Sequence, residues 1–111
     1  MGSSEEAHFN PEEVLERLGG DRALLQELIG YALEDFPAYI ESIHSAIERG
    51  EPEAVQRSAH KMKGFARNMG FHRLAELALQ TEQQHAEPAA ELRSYLDAIR
   101  AEIDTLVGLI S

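Results

Sequence analysis

The chain has 111 residues, of which 43% are hydrophobic and 27% are charged, a composition that fits one globular domain rather than a disordered segment. It contains no cysteine, which excludes disulfides, thiolate metal sites and cysteine nucleophiles. The net charge of −10 disfavours nucleic acid and anionic membranes as partners, and no apolar run approaches the roughly 18 residues that span a bilayer. No secretion signal is visible, so we expect a cytoplasmic protein.

The first helical signal in the chain is the stretch NPEEVLERLGG. Asn10 is placed to cap a short helix, Pro11 suits its first position, and Glu13 stands where the glutamate of a capping box belongs. The glycine pair that follows should end this helix. We interpret residues 1–8 as a flexible N-terminus or a remnant of cloning. The folded helical domain is then predicted to span residues 9–111.

The second helical stretch is long. Asp21 can cap it, and Gly50 should end it. Its apolar residues recur at steps of three and four: Leu24, Leu25, Leu28, Ala32, Leu33, Phe36, Ile40, Ile43 and Ile47. Pro37 lies inside this stretch, but the apolar phase continues across it, which predicts one bent helix rather than two.

Three more helices follow. Pro52 opens the third and Gly70 is placed to end it, FHRLAELALQTEQQ predicts the fourth, and Pro88 opens the last. Strand signals are nearly absent, and short connections make neighbouring helices antiparallel. The sequence therefore predicts an all-α fold, an antiparallel up-down four-helix bundle with a short additional N-terminal helix. We expect a monomer because the apolar stripes are all needed within one bundle.

The stretch AHKMKGFARNMG, residues 59–70, places a glycine inside the third helix, at a cost of roughly 1 kcal/mol relative to alanine. On a helical wheel centred on the core residue Val55, His60 lies about 140° away and Gly64 about 180° away. Both should face solvent, where the bare backbone of Gly64 lets a bulky partner approach the imidazole. Five of the ten Lys and Arg residues lie within 57–73, with no acidic residue among them. Three of these cations surround the pair on the wheel: Arg57, Lys63 and Arg67.

Each of these residue types suits one kind of chemistry. A neutral imidazole is a nucleophile near pH 7, and nearby cations disfavour its protonated form. The same cations can stabilise the negative charge of a phosphoryl group in transfer. Taken alone, an exposed histidine is usually only a solvated residue, and a basic run is usually a solvated face. Their combination at matched spacing favours phosphoryl chemistry on His60.

The stretch AHKMKG…NMG resembles the signature of the histidine-containing phosphotransfer (HPt) domain, which runs Ala-His-x-hydrophobic-Lys-Gly and closes with Asn-hydrophobic-Gly. The likeness includes the long second helix with its central proline and covers residues 9–85. It implies that His60 accepts a phosphoryl group from a response-regulator receiver aspartate and passes it to another receiver aspartate. It also implies that Lys63 neutralises phosphoryl oxygens and that Gly64 permits close approach. The sequence departs from the pattern at Phe65, where the family often has Ser or Ala.

The resemblance also implies the partners, which are receiver domains and a hybrid sensor histidine kinase, with Mg²⁺ held by the receiver. The chain would be a phosphorylated carrier and not an enzyme, since it has no nucleotide-binding or kinase motif and no metal-ligand histidine spacing. We expect Arg57, Phe65 and Arg67 to contact the partner. The edges of Met62 and Ala59 are expected to add apolar surface to the docking site.

Two other functions stay open at this point. The chain could be a helical interaction module that docks a receiver or another partner without phosphotransfer, although such an adaptor need not keep both His60 and Lys63. It could also bind a metal or small ligand in the bundle core, although the core positions are aliphatic. A free-standing carrier and a domain of a hybrid kinase fit the sequence equally well.

Overall fold

The structure, a computed structural model, describes residues 4–111, and this range contains six α-helices and no strand. The helices in chain order are α1 Ser4–His8, α2 Pro11–Arg17, α3 Arg22–Glu48, α4 Pro52–Asn68, α5 His72–Gln83 and α6 Ala89–Ile110. The predicted all-α class is therefore confirmed, and α3 is one continuous helix through Pro37, as the apolar phase predicts.

Helices α3 to α6 form the bundle. Helix α4 packs against α3 and α5, and α6 packs against α5 and α3, so the four helices close a ring around one core. The largest fully buried side chains come from all four helices and the α4–α5 connection: Phe71, Ile43, Met62, Leu74, Leu96, Ile99, Leu106, Val55 and Thr81. Burial of each large aliphatic side chain contributes about 1.5 to 3 kcal/mol, so this shared core holds the four helices together.

Glycines with positive φ end three of the helices. Gly19, Gly50 and Gly70 follow α2, α3 and α4 with φ angles of 65°, 66° and 72°. This left-handed backbone is strained for an L-residue with a side chain, whereas glycine adopts it freely. At the other end of α3, the predicted cap is present, because Leu24 N donates to Asp21 Oδ1 at 3.0 Å. These local signals explain why the predicted helix ends agree with the structure.

Helix α1 lies in a segment for which the sequence predicts no helix. His8 Nδ1 lies 2.6 Å from Glu102 Oε2 on α6, and the Glu102 side chain is buried. Phe9 packs edge-on against Phe71 with ring centroids 5.2 Å apart. The described part of the N-terminal segment is therefore helical and packed on the bundle. Residues 1–3, which belong to the same predicted segment, lie outside the described residues.

Two local expectations at this end of the molecule are wrong. The carboxylate of Glu13 does not complete a capping box, because its Oε2 lies 2.6 Å from His72 Nε2, while Asn10 N donates to Gly70 O at 3.4 Å. Leu24 is 37% exposed rather than buried, since it sits in the first turn of α3, about 100° around the wheel from the core residue Leu25. The contact of Glu13 with the first residue of α5 and that of Asn10 with Gly70 tie the N-terminal segment to the α4–α5 corner.

Candidate functional site

Helix α4 carries the stretch AHKMKG in its middle, and both of its ends are well defined. Pro52 occupies the first helical position, where its missing N–H costs nothing. At the other end, Phe71 N donates to Ala66 O at 2.8 Å and Gly70 N donates to Arg67 O at 3.2 Å, which is a Schellman motif. The middle of α4 is therefore regular helix whose faces follow directly from the sequence.

The apolar face of α4 is buried, as the wheel predicts. It consists of Val55, Ala59, Met62, Ala66 and Met69. The expectation that Ala59 and Met62 add apolar surface to a docking site is wrong, because both are 0% exposed. They lie at the centre of the stripe and are covered by the neighbouring helices, so the apolar part of any docking surface must come from elsewhere.

The opposite face of α4 presents His60 and Gly64 to solvent. The His60 side chain is 65% exposed. A Cβ placed on Gly64 would meet nothing within 4 Å beyond its immediate helical neighbours. No other part of the described chain fills the gap beside the imidazole, so a partner can reach both the ring and the bare backbone.

Glu82 on α5 joins His60 to Lys63. Its Oε2 lies 2.8 Å from His60 Nδ1, and its Oε1 accepts a hydrogen bond from Lys63 Nζ at 2.6 Å. The Lys63 side chain is only 13% exposed and that of Glu82 only 17%, so this pair is well shielded from water. The lysine lies about 80° from the core stripe on the wheel, which places it on the side that faces α5.

The charge of Glu82 fixes which nitrogen of His60 is free. The hydrogen bond from Lys63 lowers the pKa of Glu82 below its usual value, partial burial opposes this shift, and the hydrogen bond with His60 adds to the lowering. The carboxylate is therefore ionised at neutral pH and can only accept hydrogen bonds. His60 Nδ1 must then carry the proton, and in the neutral ring Nε2 keeps its lone pair. The structure thus presents an exposed nucleophilic nitrogen.

Glu82 is the residue of this site that the sequence reasoning missed. A signal for it exists, because α4 and α5 are joined by a short turn near Gly70 and Phe71 and must run antiparallel. Counting equal distances from that turn sets His60 opposite residues 81–82. Thr81 is buried, which leaves the carboxylate of Glu82 at the edge beside the imidazole.

Phe65 lies on the flank of α4 and is half-buried in an aromatic cluster. Its ring stacks on Tyr39 of α3 with centroids 4.6 Å apart and meets Phe36 edge-on at 5.8 Å. Burial and, to a smaller extent, the charge of Asp35 raise the pKa of Tyr39 above its usual value. Phe65 thus packs mainly inward, and the partly exposed Phe65–Tyr39 stack forms apolar surface on the α3 side of α4.

Free cations flank the imidazole. Arg57 and Arg67 are both exposed, and neither takes part in an ion pair with the described residues. Lys61 is exposed as well and lines a cleft together with His60 and Glu82. Of Arg57, Lys61, Lys63 and Arg67, only Lys63 pairs with a carboxylate of the described residues.

Residues 4–111 hold no group of three or more His, Cys, Asp or Glu side chains arranged to bind a metal ion. Among the same residues, no helix combines the length and the apolar character that crossing a bilayer requires.

Comparison with known proteins assigns the family. The family model of the Hpt domain matches residues 27–108, which is most of the chain. Among solved structures, the HPt domain of an Hpt sensor hybrid histidine kinase from Shewanella superposes with a TM-score of 0.66 at 17% sequence identity, covering 96% of this chain and 98% of that one. No curated protein matches the chain.

The chain belongs to the Hpt domain family, and the resemblance seen in the sequence is confirmed. Its bundle is the HPt helical bundle, with the short N-terminal helix that the sequence predicts and one more turn of helix before it. Hpt domains are phosphocarrier modules of two-component signalling, so a general role in phosphotransfer follows from the family.

Proposed function

We propose that His60 is the phosphoryl carrier of a phosphorelay, taking the group from the aspartyl phosphate of one receiver domain and giving it to the aspartate of another. The observation that carries this proposal is the exposed His60 ring, whose Nδ1 is bound to Glu82 at 2.8 Å while Nε2 is free. Gly64 beside it leaves the backbone open to the partner.

The proposed transfer step uses only groups on this chain and on the receiver. The lone pair of His60 Nε2 attacks phosphorus, an N–P bond forms as the P–O bond to the aspartate breaks, and the carboxylate leaves. The proton on Nδ1 stays in place, so the phosphorylated ring is cationic and the charge of Glu82 stabilises it. Lys63, held beside the ring by Glu82, contributes the positive charge that favours an arriving phosphoryl group.

The proposed partners follow from the same arrangement. A receiver presents an acidic pocket, which the basic face around Arg57 and Arg67 complements. The Phe65–Tyr39 stack adds apolar surface to this contact. A hybrid sensor kinase supplies the donor receiver, and the Mg²⁺ needed for phosphoryl transfer belongs to the receivers. The chain acts in this proposal as a monomeric carrier in the cytoplasm, without a cofactor of its own.

The test is brief incubation of the protein with several phosphorylated receiver domains, followed by detection of an acid-labile phosphoryl group. We expect uptake by the wild-type protein and none by His60→Gln. The matched control is His72→Gln, because His72 is also exposed and also lies 2.6 Å from a carboxylate, that of Glu13. Label on His60→Gln, or its loss in His72→Gln, would defeat the assignment. Docking and signalling that survive in His60→Gln would instead favour an adaptor.

A further inference from the structure

A cleft beside His60 opens toward the N-terminal half of α4. It measures about 260 Å³, and its lining residues are Gln56, Arg57, His60, Lys61 and Glu82. This volume accommodates a phosphoryl group together with its approach path. Lys63 is not among the lining residues, although the family resemblance assigns it the phosphoryl charge.

The cations three residues before and three residues after His60 on α4, Arg57 and Lys63, differ in what they already bind. Lys63 Nζ donates to Glu82 at 2.6 Å, and its side chain is 13% exposed. Arg57 is exposed and pairs with no acidic residue of the described chain. A phosphoryl group that arrives from solvent therefore meets an uncommitted guanidinium before it meets the shielded ammonium.

The orientation of the His60 ring also favours Arg57 over Lys63. Because Nδ1 is bound to Glu82 on the α5 side, Nε2 on the opposite edge of the ring faces away from α5 and from the Lys63 ammonium. Side chains of a helix also lean toward its N-terminus, so the ring of His60 lies over the preceding turn, which carries Arg57. A substituent on Nε2 is thus directed toward the arginine.

We propose that Arg57 binds the phosphoryl group carried on His60 Nε2; this inference rests on the proposed function. A guanidinium can donate two parallel hydrogen bonds to phosphoryl oxygens, which an ammonium cannot do. Glu82 also lines the cleft, but its charge is offset by Lys63 and by the Nδ1–H of His60. Arg57 is therefore a second phosphoryl-binding cation that acts from the side of the ring opposite Lys63.

The experiment loads the isolated protein without a receiver, so that docking plays no part. Phosphoramidate serves as donor, since its P–N bond breaks and ammonia leaves as the bond from Nε2 to phosphorus forms. Phosphorus NMR then follows the pH titration of the signal that is absent from His60→Gln. We compare wild type, Arg57→Gln, Arg57→Lys and the charge-matched Arg67→Gln, which lies about 10 Å further along α4 from His60 and outside the cleft.

A cation in contact with the phosphoryl group disfavours protonation of the group and its ring. We therefore expect the titration midpoint of Arg57→Gln to rise by about 0.5 to 1 unit, the low end for a close opposite charge because Arg57 is exposed. Arg57→Lys should recover part of the shift, and Arg67→Gln should stay within about 0.2 unit of wild type because salt screens the longer distance.

Each outcome decides a different claim. If the titration midpoint of Arg57→Gln equals that of wild type, or if Arg67→Gln shows an equal rise, Arg57 does not contact the phosphoryl group. Either result leaves the proposed phosphorelay function intact. The opposite result is also possible. If wild-type protein takes no phosphoryl group from any receiver, but phosphoramidate loads it and Arg57→Gln shows the expected shift, the phosphorelay function is wrong and the Arg57 contact stands. Failure of phosphoramidate to load His60 would overturn the inference as well, because the cleft then fails to admit the group.

Discussion

Gly64 and Gly70 stand six residues apart in one segment of the chain, and the structure explains only one of them. Gly70 follows α4 with a φ of 72°, and a Cβ on it would lie 2.9 Å from Val14 Cγ2. Gly64 lies in regular helix, where a Cβ would meet nothing within 4 Å. The fold requires the first glycine, whereas the second costs roughly 1 kcal/mol of helix stability and has no structural use within the described chain.

The difference separates two regions of α4. Its C-terminal end is a structural junction, where the N-terminal segment, the Schellman motif and the aromatic core meet. Its middle is polar and exposed, and Gly64 there makes no contact within the described chain that requires a glycine. Mutations at the C-terminal junction should therefore mainly lower stability, whereas mutations in the exposed middle should mainly slow phosphoryl transfer.

The largest effect is expected from Gly70→Ala at the junction. The left-handed backbone costs about 1 to 2 kcal/mol for alanine, and the contact with Val14 raises the total loss of unfolding free energy to roughly 2 to 4 kcal/mol. Denaturant unfolding measures this loss. Gly19→Ala is the control, because its φ of 65° is similar but nothing lies within 4 Å of the added Cβ. An equal loss in both variants would show that packing on Val14 contributes nothing.

The second effect is expected from Gly64→Ala in the exposed middle. Alanine should raise the unfolding free energy by about 0.5 to 1 kcal/mol, while the methyl group between the partner and the backbone slows transfer from a receiver by about tenfold or more. Gly30→Ala is the control, since Gly30 is also an exposed helical glycine without neighbours within 4 Å. It should give the same stabilisation and normal transfer. Normal transfer in Gly64→Ala would show that close approach of a partner does not require this glycine.

The third effect concerns Glu82→Gln. Without the carboxylate, Lys63 loses its partner, and the proton of the neutral His60 ring is no longer held on Nδ1. We therefore expect transfer to slow by about tenfold, the size of effect that follows the loss of one hydrogen bond to a charged group. Stopped-flow transfer measures the rate. An unchanged rate, with an unchanged dependence on pH, would leave Glu82 with a structural role only.

The same carboxylate should give a pH dependence of known sign. Because the pKa of Glu82 is lower in the folded protein than its ordinary value of 4.5, its stabilising contribution is present above that value and is lost as the pH falls through the folded pKa. The stability difference between wild type and Glu82→Gln should shrink on acidification below about pH 4.5. A difference that grows toward acid would contradict the assignment.

The smallest effect is expected from Glu13→Gln. Glu13 also contacts an exposed histidine, His72, at 2.6 Å, but this contact lies at the junction. Exposed ion pairs contribute about 0.5 kcal/mol or less, so neither the unfolding free energy nor the transfer rate should change measurably. A change in transfer comparable to that of Glu82→Gln would erase the distinction between the two regions.

The parts of this structure that could be predicted are those encoded over a few residues. Asp21, Pro52 and Gly70 mark helix ends by local backbone chemistry, and the three-to-four spacing of apolar residues assigns each face. The exposed placement of His60 followed from the same rule. The spacing within one helix does not show which residue of α5 faces His60, and Glu82 was missed because positions were not counted outward from the α4–α5 turn.

The errors in the sequence-based picture have the same origin. Helix α1 lies in the segment interpreted as a flexible N-terminus, and the contact that holds it on the bundle, His8 with Glu102, joins residues 94 positions apart. The side chain of Glu13 was assigned to its own helix because His72 is distant in the sequence. The wheel places Met62 on the core stripe but does not show how much of its edge remains exposed. The packing of the neighbouring helices determines this, and it leaves Met62 0% exposed.

Among the described residues, the two exposed histidines that are hydrogen-bonded to a carboxylate use opposite ring atoms. Glu82 holds Nδ1 of His60, whereas Glu13 lies against Nε2 of His72. Modification of the first ring therefore yields the τ-phosphohistidine isomer, while adventitious modification of the second would yield the π isomer. An isomer-selective antibody can thus report which of the two rings is labelled, without digestion or mass spectrometry.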